Sequence, residues 1–184
     1  MAVVLPARAS DAPELGTFLV RHLRESGQPG TPDFASMRDV SRVDVIRDAE
    51  RKWATPVGAP AWGRTWLLWS DDPRGRPEQT PMVGGYVEIR GPWAPAALHR
   101  VELSIGMDAP YRGKGFGRLL METAIAAAYE LPQIAYVDLR VFGANHRARA
   151  LYQKLGFVEV GCVPDAYRFP ESVVDDVLMV RRIR

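Results

Sequence analysis

Apolar positions in the middle of the chain change period within a short stretch. Val101, Leu103, Ile105 and Met107 alternate with Glu102, Ser104 and Gly106, which is the two-residue period of a strand with one face on a core. Asp108, Ala109 and Pro110 break that strand. Beyond three glycines, Leu119, Leu120, Ala124, Ala127, Ala128 and Leu131 recur at helical spacing until Pro132. A strand, a glycine-rich turn and a helix are predicted in that order.

The remaining pattern surrounds this unit. Residues 2–8 give a short strand. A helix follows, with Ser10 or Asp11 as its cap, Pro13 in its first turn and a stripe of Leu15, Phe18, Leu19 and Leu23. Gly27, Pro29, Gly30 and Pro32 end it. Met37, Val40, Val43, Ile46 and Ala49 predict a second helix over 33–54. Trp66–Trp69 and Met82–Ile89 read as strands, the second with a bulge at Gly84-Gly85 and the two joined by the polar turn 71–81. After the central helix, Val137, Leu139 and Val141 mark a strand over 136–142. Asn145 caps a helix carrying Ala148, Leu151, Tyr152 and Leu155, and Gly156 stops it. Strands over 157–163 and 177–183 finish the chain. The fold class is α/β, a mixed and mostly antiparallel sheet of about seven strands with about four helices, in one domain over residues 1–184.

Composition narrows the function classes. The net charge of +2 does not point to nucleic acid. One cysteine, Cys162, excludes an intramolecular disulfide and a multi-cysteine metal site, and it is expected to be a buried strand residue. His22, His99 and His146 are scattered without ligand spacing, so no metal is expected; His99 and His146 are expected to be solvated. No apolar run approaches the ~20 residues of a membrane span. The first ten residues do not read as a signal peptide, and a cytoplasmic location is the expectation.

The glycine turn carries chemistry. The first N–H groups of a helix lack intrahelical partners and bear partial positive charge, and glycine lets a ligand approach them. Arg112, Gly113, Lys114, Gly115, Phe116, Gly117 and Arg118 therefore form a cradle for a pyrophosphate, with three cations around it. The spacing is not that of a P-loop, since Gly115 and Phe116 follow Lys114. It is not that of a Rossmann turn, since Arg118 stands where the last glycine would be.

Arg112-x-x-Gly115-x-Gly117 after a strand resembles the acetyl-CoA-binding motif of the GNAT superfamily of CoA-dependent N-acetyltransferases. A second stretch resembles that family's N-x-x-A-x-x-L-Y-x-K-x-G-F pattern through Asn145, Ala148, Leu151, Tyr152, Lys154, Gly156 and Phe157. The resemblance implies that the fourth and fifth strands splay apart and take acetyl-CoA between them. It implies backbone contacts from Ile105, Gly106 and Met107 to the pantetheine arm, with Asn145 on the other side. Tyr152 matches the family's general acid, and Glu102 stands where related acyltransferases carry a glutamate proposed as base. Burial between the sheet and the cofactor is expected to raise its pKa; the other reading is a glutamate that only binds the substrate ammonium or a nearby arginine such as Arg100. Ser104 and Asp138 are lesser candidates.

The expected activity is transfer of the acetyl group to a primary amine: a small amine, an amino acid or a protein N-terminus. A catalytically silent CoA-binding module is the alternative. The acceptor cleft is expected between the first two helices, loops 27–36 and 91–99, and segment 164–176. These hold Phe34, Trp93, Tyr167, Phe169, Asp33, Asp165, Glu171, Asp175 and Asp176. Among partners, no nucleic acid and no membrane are expected. A homodimer through the exposed last strands fits this fold.

Overall fold

A computed structural model describes residues 2–28, 31, 34–35, 39–70 and 82–184. The strands are β1 (Val3–Pro6), β2 (Gly63–Ser70), β3 (Met82–Arg90), β4 (Arg100–Met107), β5 (Tyr136–Phe142), β6 (Val158–Phe169) and β7 (Ser172–Arg182). The helices are α1 (Ala12–Arg24), α2 (Arg42–Ala54), α3 (Phe116–Tyr129) and α4 (His146–Lys154). The seven strands form one sheet in the order β1-β2-β3-β4-β5-β7-β6, antiparallel throughout except for β4 beside β5. The expected fold class is the one observed.

The alternation along the strands sorts the two faces. Val87, Ile89, Val101, Leu103, Val137, Leu139, Val177 and Met179 bury against Leu120, Met121, Ala124 and Ala128 of α3, against Tyr152 of α4 and against Leu155 just after it. On the other face Leu67 and Val83 meet Ala12, Leu15 and Phe18 of α1 and Ala49 of α2. The intervening positions of β4 and β5 are Arg100, Glu102, Asp138 and Arg140, so this second face turns polar beyond β3.

Four expectations are corrected. The second helix begins at Arg42, not 33, because Ser41 caps it by accepting from Asp44 N–H at 3.4 Å. Of the repeat, Ile46 and Ala49 pack on the core while Val43 is 53% exposed, so only its later members face inward. Residues 32–33 and 36–38, with Asp33 and Met37, lie outside the described residues, as does the 71–81 turn. The first helix has no side-chain cap: a 3₁₀ turn over Ala9–Asp11 precedes it, and the Asp11 carboxylate accepts from Arg8 N–H at 2.8 Å. The last two strands are longer than predicted and form a hairpin, so the segment 164–176 is mostly strand, not loop. Cys162 is exposed, because β6 is the edge of the sheet and only β7 covers it. The expected bulge is present: Leu68 pairs with Gly85 and Trp69 with Val83, which leaves Gly84 as the extra residue on β3. Among the described residues no helix is long and apolar enough to cross a membrane.

Candidate active site

β4 and β5 are paired only at Arg100–Tyr136, Val101–Val137 and Glu102–Asp138. Beyond that point β4 stays bonded to β3 as far as Met107, and β5 stays bonded to β7 as far as Phe142. Each strand follows a different neighbour, so a gap opens between them. From Leu103 to Met107 that edge of β4 has no strand partner among the described residues. Buried peptide groups require partners, so such an edge suits a ligand that offers amides of its own.

The glycine turn closes one end of the gap. Gly113 and Gly115 have φ of +79° and +85°, conformations an L side chain adopts only under strain. Gly115 is the N-cap of α3, and a β-carbon there would meet nothing within 4 Å. The backbone N–H groups of Phe116 and Gly117 therefore start the helix beside open space. Gly117 packs toward Leu151 of α4, and Phe116 tilts onto Tyr111 with ring centroids 6.4 Å apart.

The cations around the turn have different partners. The Arg112 guanidinium turns back into the protein, donating to Met107 C=O at 2.8 Å and Glu25 Oε2 at 2.6 Å over the Phe34 ring. Arg118 donates to Glu122 one helical turn on. Lys114 is exposed and has no side-chain partner among the described residues. A fourth cation arrives from α4: the Arg147 guanidinium lies where a Gly113 β-carbon would be 2.9 Å away. The sequence pattern missed Arg147, whose only signal is its place two residues after Asn145. The Asn145 side chain accepts from Ala148 N–H at 3.2 Å and caps α4, as its position implied.

Below the end of β4 lies a charged cluster. Asp108 is buried and receives Arg21 of α1, while its other oxygen faces His22 Nδ1 at 3.6 Å. The rings of Phe18 and Phe34 stack on the two sides of His22. Ligand atoms of His22, Glu25 and Asp108 lie within 4.8 Å of one another. Each carboxylate already holds an arginine, so the cluster acts as a clamp between α1 and the turn. At Gly106 an added β-carbon would stand 2.6 Å from Tyr86 and 2.7 Å from His22 Nε2, which is why this position carries no side chain.

Two tyrosines approach the gap from opposite faces. Tyr152 of α4 is buried, tilts onto Phe157, and has no hydrogen-bond partner for its hydroxyl among the described residues. Burial pushes its pKa up to about 12. Tyr86, opposite Gly106 on β3, is also raised, first by burial and then by the Glu88 carboxylate; Tyr152 is close enough to add to the effect. Both phenols stay protonated at neutral pH.

The gap begins beside a cleft of about 720 Å³ on the α2 face. α2 supplies Asp48, Arg51 and Lys52, and the sheet supplies Arg90, Arg100, Glu102, Asp138, Arg140 and Leu178. The outer wall is the segment Gly91–Ala97, stitched to the preceding loop by Gly91 N–H to Trp62 C=O at 2.8 Å and Ala61 N–H to Pro92 C=O at 3.1 Å. Ala61 holds a φ of +60° there, and Trp62 beside it is fully buried.

Of the residues expected to form the cleft, Trp93 lines it, 85% exposed. Phe34 packs on His22 instead, Tyr167 and Phe169 pack on Phe142, and Asp165 holds Arg168. Asp175 accepts from Asp165 N–H, and Asp176 pairs with Arg140. Glu102 is 43% exposed in its side chain and accepts from Arg90 at 2.8 Å. Arg100 is paired with Asp138 instead. The cleft charges Arg100, Glu102, Asp138 and Arg140 are the non-apolar alternate positions of β4 and β5, whereas nothing in the pattern of α2 or β3 marks Asp48, Arg51, Lys52 or Arg90 as their neighbours.

The fold recurs in known proteins. Over the whole of both chains the structure matches an acetyltransferase of the GNAT family from Streptococcus pneumoniae, with 25% identity and a TM-score of 0.80. A GNAT superfamily phosphinothricin acetyltransferase from Sinorhizobium meliloti, solved in complex with acetyl-CoA, aligns with 98% of this chain and 88% of its own at 18% identity and a TM-score of 0.78. In sequence the chain is 38% identical to a mycothiol acetyltransferase of Propionibacterium freudenreichii over 64 residues. That match spans 33% of this chain and only 20% of the relative. The model of the acetyltransferase (GNAT) family matches residues 38–157, the span that carries the turn, the gap, Glu102 and Tyr152. The chain belongs to the acetyltransferase (GNAT) family.

Proposed function

We propose that the protein transfers the acetyl group of acetyl-CoA to a primary amine by direct attack. One observation carries this reading. The gap between β4 and β5 joins a glycine-and-cation turn at one end to a charged cleft at the other. A long thioester lying in the gap would have its diphosphate on the N–H groups of Phe116 and Gly117, beside Lys114, Arg147 and Arg118. The unpartnered edge at Ile105, Gly106 and Met107 suits its amides, with Asn145 across from them. The phosphinothricin acetyltransferase of the same fold was solved with acetyl-CoA bound, which supports the choice of cofactor.

The co-substrate supplies an activated acyl group; the residues here supply position and protons. The amine nitrogen attacks the thioester carbon, the C–S bond breaks, and the amine loses one proton. Tyr152, held neutral by burial, donates its proton to the departing sulfur. Glu102, on the cleft side of the gap, accepts the proton from the amine. No covalent enzyme intermediate is needed when the reactants lie side by side.

Thiol release from acetyl-CoA across an amine panel tests the reading. Turnover is expected, and Tyr152→Phe is expected to lower it by about 10²-fold with CoA affinity retained. CoA binding without turnover on any amine would establish the silent module instead.

A further inference from the structure

Ion pairs cover the open face of the sheet, and they differ in how easily they exchange. Lys52–Glu88 is buried, with side chains 12% and 7% exposed. Arg100–Asp138 is largely sheltered at 32% and 20%. Arg140 is bound to Asp176, which is 4% exposed. Removing the cation from any of these three leaves a sheltered carboxylate without a partner, a large penalty. Arg90–Glu102 is different: both side chains are almost half exposed, at 45% and 43%. Such a pair contributes little to stability, and an incoming anion that takes the guanidinium bidentately can displace it. Arg51–Asp48, across the cleft on α2, is more exposed still, at 56% and 50%.

Every cation of the cleft has a carboxylate partner, with Glu88 and Asp176 behind the wall holding Lys52 and Arg140, so the exposed Arg90 and Arg51 are the cations that a ligand's anion can win from their partners. While Arg90 occupies Glu102 Oε1, that oxygen is not available to an amine. We infer that Arg90 is a specificity-determining residue that leaves Glu102 for an anionic group on the acceptor, so that the acceptor is an amine bearing a carboxylate or an equivalent anion. Binding of the acceptor and release of the base then occur together. In the exchange Arg90 gains the acceptor anion and loses Glu102, and the acceptor ammonium takes the place of Arg90 on Glu102. One proton passes from the ammonium to solvent before attack, and a second to Glu102 during it. This inference rests on the transfer reaction proposed above. The other charges facing Glu102 are Arg100 on its own strand, Asp138 and Arg140 on β5, and Asp48, Arg51 and Lys52 on α2.

The test is thiol release from acetyl-CoA with the twenty α-amino acids, each beside its amide and its decarboxylated amine. The wild type is expected to favour at least one acid over its amide by tenfold or more in kcat/KM. A neighbouring carboxylate keeps more of the acid's amine protonated, so this preference cannot come from amine acidity. Arg90→Gln is expected to lower kcat/KM for that acid at least tenfold and to raise it for the amide, since Glu102 is then free. Arg90→Lys is expected to restore part of the preference. A purely structural role would lower both substrates together. Amides or plain amines used as well as acids by the wild type, or an unchanged preference in Arg90→Gln, would overturn the inference and leave the transfer reaction standing. No release with any amine would remove both.

Discussion

Asp108, the first residue after β4, receives the Arg21 guanidinium of α1 through Nε at 2.8 Å, with Nη2 on the same carboxylate oxygen. The pair ties the helix on one face of the sheet to the start of the turn. Val83 C=O accepts a third bond from the same arginine, so α1, β3 and the end of β4 share one anchor. Replacing Asp108 with Asn removes a buried charge partner and leaves His22 Nδ1 facing an amide. A loss of about 1–3 kcal/mol is expected, the worth of hydrogen bonds to a charged group, since the Arg21 side chain left behind is 37% exposed and can reach solvent. Urea denaturation measures it. A change below ~0.5 kcal/mol would show that the anchor does not hold α1 down.

Gly115 separates backbone from side-chain effects. Its φ of +85° is strained for alanine, yet the space beside it is open. Gly115→Ala should therefore cost only the backbone term, about 1–2 kcal/mol. If the N–H groups at the start of α3 hold a diphosphate, CoA affinity by calorimetry should fall by about tenfold, the equivalent of ~1.4 kcal/mol. Lowered stability with unchanged affinity would mean that this backbone does not touch the ligand.

The cations of the turn divide by partner. Arg112 holds Met107 C=O and Glu25, so Arg112→Ala is expected to lower the melting temperature. Lys114→Ala and Arg147→Ala should leave it within about 1 °C, as exposed charges contribute little to folding. Each should weaken CoA binding severalfold, and more at low salt than at high salt. Equal CoA affinity in both variants at low ionic strength would remove these two side chains from the site.

Tyr152 gives a pH prediction with a fixed sign. Its pKa is raised by burial to about 12 in the fold and returns to about 10 when the chain unfolds. Between those values the unfolded chain ionises and the folded one does not, so stability is full below pH 10 and falls as pH rises toward 12. Tyr86, raised in the same direction, adds to the fall. Melting temperature against pH should therefore decline above pH 10, less steeply in Tyr152→Phe. Titration of the phenolate absorbance should show fewer than six tyrosines ionising below pH 11. A Tyr152 that ionised near pH 10 would contradict its place as a buried, neutral donor.

Local pattern carried the elements well because each rests on neighbours in sequence. The two-residue period of 101–107, the positive-φ glycines before α3 and the Asn145 cap all act within a few residues. The second helix starts at Arg42 because the Ser41 cap outweighs a weak three-residue repeat before it. Cys162 is exposed because exposure depends on a strand's place in the sheet, and nothing local to β6 says that it is an edge.

The sequence alone determined the order of elements, the glycine-rich start of α3 and the family motifs, since backbone preference and hydrophobic period are properties of short stretches. Tertiary structure decided which charges meet. Arg90 reaches Glu102, Arg112 reaches Glu25, and Arg147 reaches Gly113, across separations that only strand register and helix packing set. It also decided that β4 and β5 part after Glu102, because each strand is held by a different neighbour.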